Sequence, residues 1–135
     1  MGTLSDIVSP NFITVAPEDT LGEVAERMTR LNTGAVVVKD FGRLIGILTE
    51  RDMLRAMAAR VHTSDARVRQ WMTADPVTAE PGMDLEEAAQ VMLDHGFRHL
   101  PVVEGQNILG VVSLRRVLGG RRRPAPEHEP APEAA

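Results

Sequence analysis

Two stretches of the chain, residues 20–31 and 84–95, carry apolar side chains at the spacing of an amphipathic helix. In the second stretch the apolar residues recur with a period of about 3.6, at Leu85, Ala88, Ala89 and Met92. Asp84 stands at its start with Glu87 three residues on, which is the capping-box signature of a helix N-terminus. We therefore predict a helix in each stretch.

A pair of short runs rich in β-branched residues follows each predicted helix. These runs predict strands over residues 35–38, 44–48, 100–103 and 108–112. Each pair is joined by a short connection that contains a glycine, as tight hairpins require. Short extended pieces at 13–15 and 77–79 precede the helices, and closing helices are predicted at 50–60 and 114–118. Each half of the chain therefore follows the plan β-α-β-β-α.

The two halves are copies of one another. Residues 4–54 lie over residues 68–118 at a constant offset of 64 without a gap, and ten positions are identical. A copy of about 50–60 residues buries too little surface to be stable alone. We therefore expect an α+β fold in which the two copies pack sheet to sheet about a pseudo-twofold axis.

The duplication divides the chain into four parts. Residues 1–60 form the first repeat with its closing helix, 61–67 a connector, 68–118 the second repeat and 119–135 a tail. The tail is rich in Pro, Glu and Ala and has no larger apolar residue, so we predict that it is disordered.

Composition narrows the class of protein. The chain has 135 residues, no cysteine and 3% aromatic residues, which excludes disulfides and thiolate metal sites. No apolar run reaches the roughly 18 residues of a membrane span, and no signal peptide begins the chain, so we expect a cytoplasmic protein without membrane contact. The net charge of −4 does not favour nucleic acid as a partner, although residues 121–123 are all arginine.

The junction of the second strand with the closing helix carries the candidate chemistry. Thr49 and Ser113 stand at the N-cap positions, where a helix offers unpaired N–H groups and the positive end of its dipole. Asp52, one turn further on, adds a carboxylate that could accept from two neighbouring hydroxyls. A hydroxyl, a helix start and a carboxylate together suit a ribose phosphate. The simpler interpretation is that these residues only cap the helix.

Three features carry a resemblance to a known family. The string Gly46-x-x-Thr49-x-x-Asp52, the segment at residues 99–103 (HLPVV) and the tandem β-α-β-β-α plan resemble the cystathionine-β-synthase (CBS) domain family. The resemblance implies a disc-like module of two repeats, usually a homodimer. Such a module binds an adenosine-containing ligand (AMP, ADP, ATP or S-adenosylmethionine) between its repeats and regulates a partner protein.

The resemblance also implies which residues bind. The implied ligand-binding positions are Gly34, Ala35, Thr49, Arg51, Asp52, Val77, Phe97, Arg98 and His99. Asp52 would accept from the ribose hydroxyls, with Thr49 and Arg51 near ribose and phosphate. The related cleft of the other copy would comprise Ile13, Ser113, Arg115 and Arg116. There Arg116 replaces the aspartate and has no acceptor, so we expect a degenerate cleft that is empty or takes only phosphate.

The leading hypothesis is a regulatory sensor of an adenosine-containing ligand. The alternative is a dimerisation or partner-docking scaffold whose ligand sites have degenerated. We expect no enzymatic activity and no catalytic cofactor, because no phosphate loop, nucleophile elbow or metalloprotease motif is present. We also expect no metal site, because Gly96 interrupts the helix between His95 and His99.

Overall fold

The computed structural model describes residues 2–119. Its elements run in the order 3-10 helix Leu4–Asp6, β1 Thr14–Val15, α1 Leu21–Leu31, β2 Ala35–Asp40, β3 Arg43–Thr49, α2 Glu50–Ala58, α3 Val68–Trp71, β4 Thr73–Ala74, α4 Leu85–His95, β5 His99–Glu104, β6 Asn107–Ser113 and α5 Leu114–Gly119. Of the predicted disordered tail, residues 120–135 lie outside the described residues. No helix within residues 2–119 has the length and apolarity needed to span a membrane.

Most predicted elements are present, and the α+β fold with two repeats is confirmed. The four hairpin strands extend by one or two residues beyond the predicted ranges, β1 lacks the predicted residue 13, and α2 ends at Ala58, two residues before the predicted end. The predicted extended piece at 77–79 forms only a single parallel bridge, from Ala79 to Val102.

The predicted capping box at Asp84 is wrong. The Asp84 side chain makes no capping hydrogen bond, and the N–H of Leu85, the first residue of α4, donates to the Gly2 carbonyl at 3.1 Å. The box occurs at the equivalent position of the first copy, where Thr20 Oγ1 accepts from the Glu23 N–H at 3.2 Å.

Strands β1–β4 form one sheet in that order, and β5 and β6 form a second. β1 pairs with β2 in parallel, whereas the hairpins β2–β3 and β5–β6 are antiparallel. Each hairpin has one irregularity in register, between Val38 and Lys39 and between Val102 and Val103. These positions are 64 residues apart, so the two copies share even this detail of backbone geometry.

The segment that leads into each copy packs against the other copy. Leu4 is buried in the second hydrophobic cluster, with Leu85, Met92 and Leu100, although it begins the first repeat. Val68, its equivalent, is buried in the first cluster beside Leu21. The two halves of the sequence therefore each complete the core of the other.

Two glycines allow these lead-in segments to pass across the sheets. A Cβ at Gly46 would lie 2.6 Å from Met72 Sδ and 3.0 Å from the Thr73 carbonyl oxygen. A Cβ at Gly110 would overlap the Ser9 carbonyl oxygen. Ser9 and Thr73 are equivalent positions, so the same close approach occurs in both copies. The short strand β4, at Thr73–Ala74, was not expected from the sequence.

The core lies on both faces of the first sheet. Val36 and Val38 point into the first cluster beneath α1. Val37 points to the opposite face and is also fully buried. Strand β6 of the second copy is in contact with β2. The interface between the copies therefore lies next to the end of β3, where the candidate chemistry is located.

Candidate functional site

The junction between β3 and α2 is closed by reciprocal hydrogen bonds. Thr49 is the N-cap of α2, and its Oγ1 accepts from the Asp52 N–H at 3.3 Å. In return, Asp52 Oδ2 accepts from the Thr49 N–H at 2.9 Å and from the Thr49 hydroxyl at 3.1 Å. These bonds pair backbone donors that the start of a helix leaves free. The capping role expected for Thr49 is confirmed.

Asp52 is held on its other side by an arginine. Within residues 2–119 it is the only buried charged residue, with 4% of its surface exposed. Its Oδ1 accepts from Arg55 Nη1 at 2.9 Å, and the Arg55 guanidinium lies over the Trp71 ring, 5.5 Å from the centroid. Both oxygens of the carboxylate are therefore engaged within the protein.

A cleft of about 480 Å³ opens beside this junction, between the two copies. Its lining residues are Ile47, Thr49, Glu50, Arg51, Asp52, Leu54, Thr73, Pro76, Val77, Phe97, Arg98 and His99. One wall comes from β3 and α2 of the first copy. The other comes from the segment after β4 and from the turn between α4 and β5, where Phe97 stacks on His95 with ring centroids 5.2 Å apart. The cleft thus combines an apolar wall with a helix start.

One arginine spans the two walls. Arg51, in the first turn of α2, donates from Nη1 to the Gly96 carbonyl oxygen at 3.4 Å. Gly96 is the C-cap of α4, where the carbonyl groups form the negative end of the helix dipole. Arg51 therefore connects the start of a helix in one copy to the end of a helix in the other.

The charges that line the cleft are balanced. Glu50 and Asp52 are opposed by Arg51 and Arg98. Burial lowers the pKa of His99, the nearby carboxylate of Glu50 raises it, and Arg98 lowers it. The net shift is downward, which favours the neutral imidazole, a form with one donor and one acceptor nitrogen.

The structure brings together seven of the nine predicted binding residues. Thr49, Arg51, Asp52, Val77, Phe97, Arg98 and His99 all line the cleft. Gly34 does not line the cleft; the Glu50 side chain packs against it, and its carbonyl accepts from the Glu50 N–H at 3.0 Å. Ala35 is buried and pairs with Thr49 in the sheet. A side chain at position 34 would collide with Glu50, so the glycine allows the carboxylate to lie at the cleft.

Five lining residues were missed by sequence reasoning: Ile47, Glu50, Leu54, Thr73 and Pro76. Ile47 could have been found, because it lies two residues before Thr49 on β3 and alternate residues of a strand share a face. Thr73 belongs to the short strand β4, and its pairing with β3 has no local signal in the sequence.

The second predicted cleft differs from the first in both of its walls. Ile13 is 8% exposed and belongs to the first hydrophobic cluster, whereas its equivalent Val77 is 37% exposed at the first cleft. Ser113 Oγ accepts from the Arg116 N–H at 3.0 Å, and the side chains of Arg115 and Arg116 are exposed. The N-cap bond is therefore kept in both copies, while the apolar wall and the acceptor are not.

A metal site was not expected, and the described part of the chain contains no group of three or more His, Asp or Glu side chains arranged to hold a metal ion.

Comparison with known proteins gives a consistent result. The family model described as CBS domain matches residues 4–59 and again residues 68–121. The CBS domain-containing protein YhcV of Bacillus subtilis is 35% identical over 114 residues, which is 84% of this chain and 81% of that protein.

Two solved structures extend the comparison. A CBS-domain containing protein of Agrobacterium tumefaciens is 30% identical, with a TM-score of 0.83 over 89% of this chain and 99% of its own. A CBS domain protein of Pyrobaculum aerophilum, solved in complex with AMP, is 26% identical, with a TM-score of 0.76 over 84% of this chain and 88% of its own.

Proposed function

The chain belongs to the CBS domain family, and we propose that it is a regulatory module that binds an adenosine-containing ligand in the cleft between its two repeats. The observation that carries this proposal is the buried Asp52 carboxylate at a helix start, facing an apolar wall from the other copy. The AMP complex of the Pyrobaculum aerophilum relative supports the choice of ligand class. AMP, ADP, ATP and S-adenosylmethionine all belong to that class.

Each part of the ligand has a matching surface in this proposal. The ribose hydroxyls donate to Asp52, and the phosphate lies near Arg51, Arg98 and the first N–H groups of α2. The base lies against Val77 and the other apolar side chains of the cleft. Aromatic stacking is not required, which suits a chain with only 3% aromatic residues.

Regulation follows from the position of the ligand between the copies. A rigid nucleotide that contacts both walls binds best at one relative orientation of the repeats, and only this difference in affinity can shift their arrangement. Arg51 is placed to take part, because a phosphate would compete with the Gly96 carbonyl for its guanidinium. We propose that a partner protein responds to this shift, and that the protein has no catalytic role of its own.

Calorimetric titration with the four candidate ligands tests the proposal. We expect saturable binding to the wild type and a loss of about tenfold or more for Asp52→Asn, because hydrogen bonds to a charged acceptor contribute more than neutral ones. Asparagine keeps one acceptor for the Thr49 N–H, so the helix start is preserved. Glu26→Ala, a change of an exposed acid on α1, is the control and should bind like the wild type. No binding up to millimolar concentration would refute the proposal.

A scaffold is the second candidate. Leu54 and Leu118 are equivalent residues on α2 and α5, and they are 64% and 43% exposed. Exposed leucines repeated on two helices favour association with another chain, which we propose to be a second copy in a homodimer. Sedimentation analysis of the wild type and of Leu118→Glu tests this proposal. A monomeric wild type would refute it, whereas a dimer that Leu118→Glu dissociates would support it.

A further inference from the structure

We propose that Arg55 is a positioning residue that shares the Asp52 carboxylate with the ligand. A ligand with two neighbouring hydroxyls displaces Arg55 from Asp52, and this displacement is transmitted to Trp71. The inference rests on the proposed function, and it adds a residue that does not itself line the cleft.

The Asp52 carboxylate offers a limited number of acceptor positions. An ionised carboxylate has about four lone-pair positions, two on each oxygen. Oδ2 already accepts from the Thr49 N–H and the Thr49 hydroxyl, and Oδ1 accepts from Arg55. One position on Oδ1 is therefore left. A single ligand hydroxyl can use it, but a second hydroxyl requires that a present donor leave.

Arg55 is the donor best able to leave. The Thr49 N–H is fixed by the backbone at the start of α2, and the Thr49 hydroxyl belongs to the same capping arrangement. The Arg55 side chain is 57% exposed, so water can replace the carboxylate as its partner at small cost. It also shares Oδ1, the oxygen that the capping bonds leave free.

Release of Arg55 would change the surroundings of Trp71. The guanidinium now lies over the ring, 5.5 Å from its centroid. Trp71 is partly buried against the first hydrophobic cluster, and it borders a second, open cavity of about 410 Å³. It is the only tryptophan of the sequence, and the sequence has no tyrosine. Intrinsic fluorescence therefore reports on the surroundings of this one side chain, of which the Arg55 guanidinium is a part.

Fluorescence titration with AMP and with 2′-deoxy-AMP separates the two binding modes. Both ligands are titrated into the wild type with selective excitation of tryptophan, and calorimetry measures their affinity in parallel. We expect AMP to change the Trp71 emission. 2′-Deoxy-AMP carries one hydroxyl at this position, so it should bind more weakly and leave the emission nearly unchanged. Arg55→Met should abolish the response to AMP.

The ratio of the Kd for 2′-deoxy-AMP to the Kd for AMP would not change if Arg55 had only a structural role. In the wild type the second hydroxyl must displace Arg55, whereas in Arg55→Met both positions on Oδ1 are free. We therefore expect the ratio of the Kd for 2′-deoxy-AMP to the Kd for AMP to rise about two- to fivefold in this variant. Arg55→Lys keeps the ion pair and should keep the wild-type ratio. Arg30→Met removes an exposed arginine of α1 and is the matched control.

The outcomes distinguish this inference from the function on which it rests. Calorimetric binding of AMP with no change in Trp71 emission, or with an unchanged ratio in Arg55→Met, overturns the role of Arg55 and leaves the proposed function intact. Failure of AMP to bind overturns both. If Arg55→Met does not fold, the wild type alone still tests the proposal. Equal changes of the Trp71 emission with AMP and with 2′-deoxy-AMP would refute displacement of Arg55 by the second hydroxyl.

Discussion

Replacing Gly110 with alanine should destabilise the protein, because the lead-in segment of the first copy lies directly on β6. The new Cβ would overlap the Ser9 carbonyl oxygen and would lie 2.7 Å from Val8 Cγ2. The valine methyl can move, but the carbonyl belongs to the backbone. The segment must therefore be pushed away from the sheet, which also disturbs Leu4 in the second hydrophobic cluster.

The size of the effect follows from the atoms involved. Overpacking costs about 1–3 kcal/mol, and a rigid backbone obstacle places Gly110→Ala near 3 kcal/mol. Alanine also restricts the unfolded chain more than glycine does, which offsets the loss of stability by about 0.5 kcal/mol. We expect a net loss of about 2.5 kcal/mol, or a Tm lowered by about 10 °C in a domain of this size.

Two other glycines provide a graded series. At Gly46 the nearest atom is Met72 Sδ, the flexible part of a side chain, and the nearest backbone atom, the Thr73 carbonyl oxygen, lies at 3.0 Å and does not overlap the new Cβ. Gly46→Ala should therefore cost less, about 1 kcal/mol. Nothing lies within 4 Å of a Cβ at Gly82, and Gly82→Ala should be neutral or slightly stabilising. Urea unfolding, followed by Trp71 fluorescence and circular dichroism, measures all three. If Gly110→Ala unfolds at the same urea concentration as Gly82→Ala, the exchange of lead-in segments is refuted.

Three further predictions concern the two helix starts and the cleft. Calorimetry should give one AMP per chain, because Arg116 replaces the acceptor that Asp52 supplies; a stoichiometry of two would contradict this. Arg116→Asp should stabilise α5 by about 0.5–1 kcal/mol by completing a capping box with Ser113, and an unchanged urea midpoint would argue against it. Burial lowers the pKa of His99 below its ordinary value of 6.5, so the unfolded chain binds more protons below that pH. The contribution of His99 to the free energy of unfolding is therefore complete above pH 6.5 and falls as the pH is lowered from there. His99→Gln should reduce the difference between the urea midpoints at pH 7.5 and pH 5.5.

The elements that the sequence predicted correctly are those with a local signal. The spacing of apolar residues predicts α1 and α4, and the β-branched runs predict the hairpins, because both patterns arise within a single element. The Asp52–Arg55 ion pair also has a local basis, since residues three apart meet on one face of a helix. This ion pair was nevertheless not predicted from the sequence.

The parts that were missed depend on contacts between distant segments. Leu4 enters the second cluster and β4 pairs with β3 through segments of two to three residues, which are too short to show periodicity. Gly46 and Gly110 are the residues from which these contacts could have been predicted. Each interrupts a run of β-branched and leucine residues, and a glycine inside a strand marks a place where another backbone approaches closely.

The duplication separates the residues that determine the fold from those that determine binding. The positions identical in both copies include buried Leu21/Leu85, Met28/Met92 and Val38/Val102, and they form the two cores. At the helix starts Arg51 and Arg115 are identical, whereas the acceptor Asp52 of one copy is replaced by Arg116 in the other. A change at the helix start leaves the apolar core in place, so one cleft can lose its acceptor while the copy that contains it still completes the fold. Substitutions at Gly110 and its neighbours should therefore change stability, and substitutions at Asp52 should change ligand affinity. Substitutions at Arg55 should change the ratio of affinities for different ligands more than they change stability or fold.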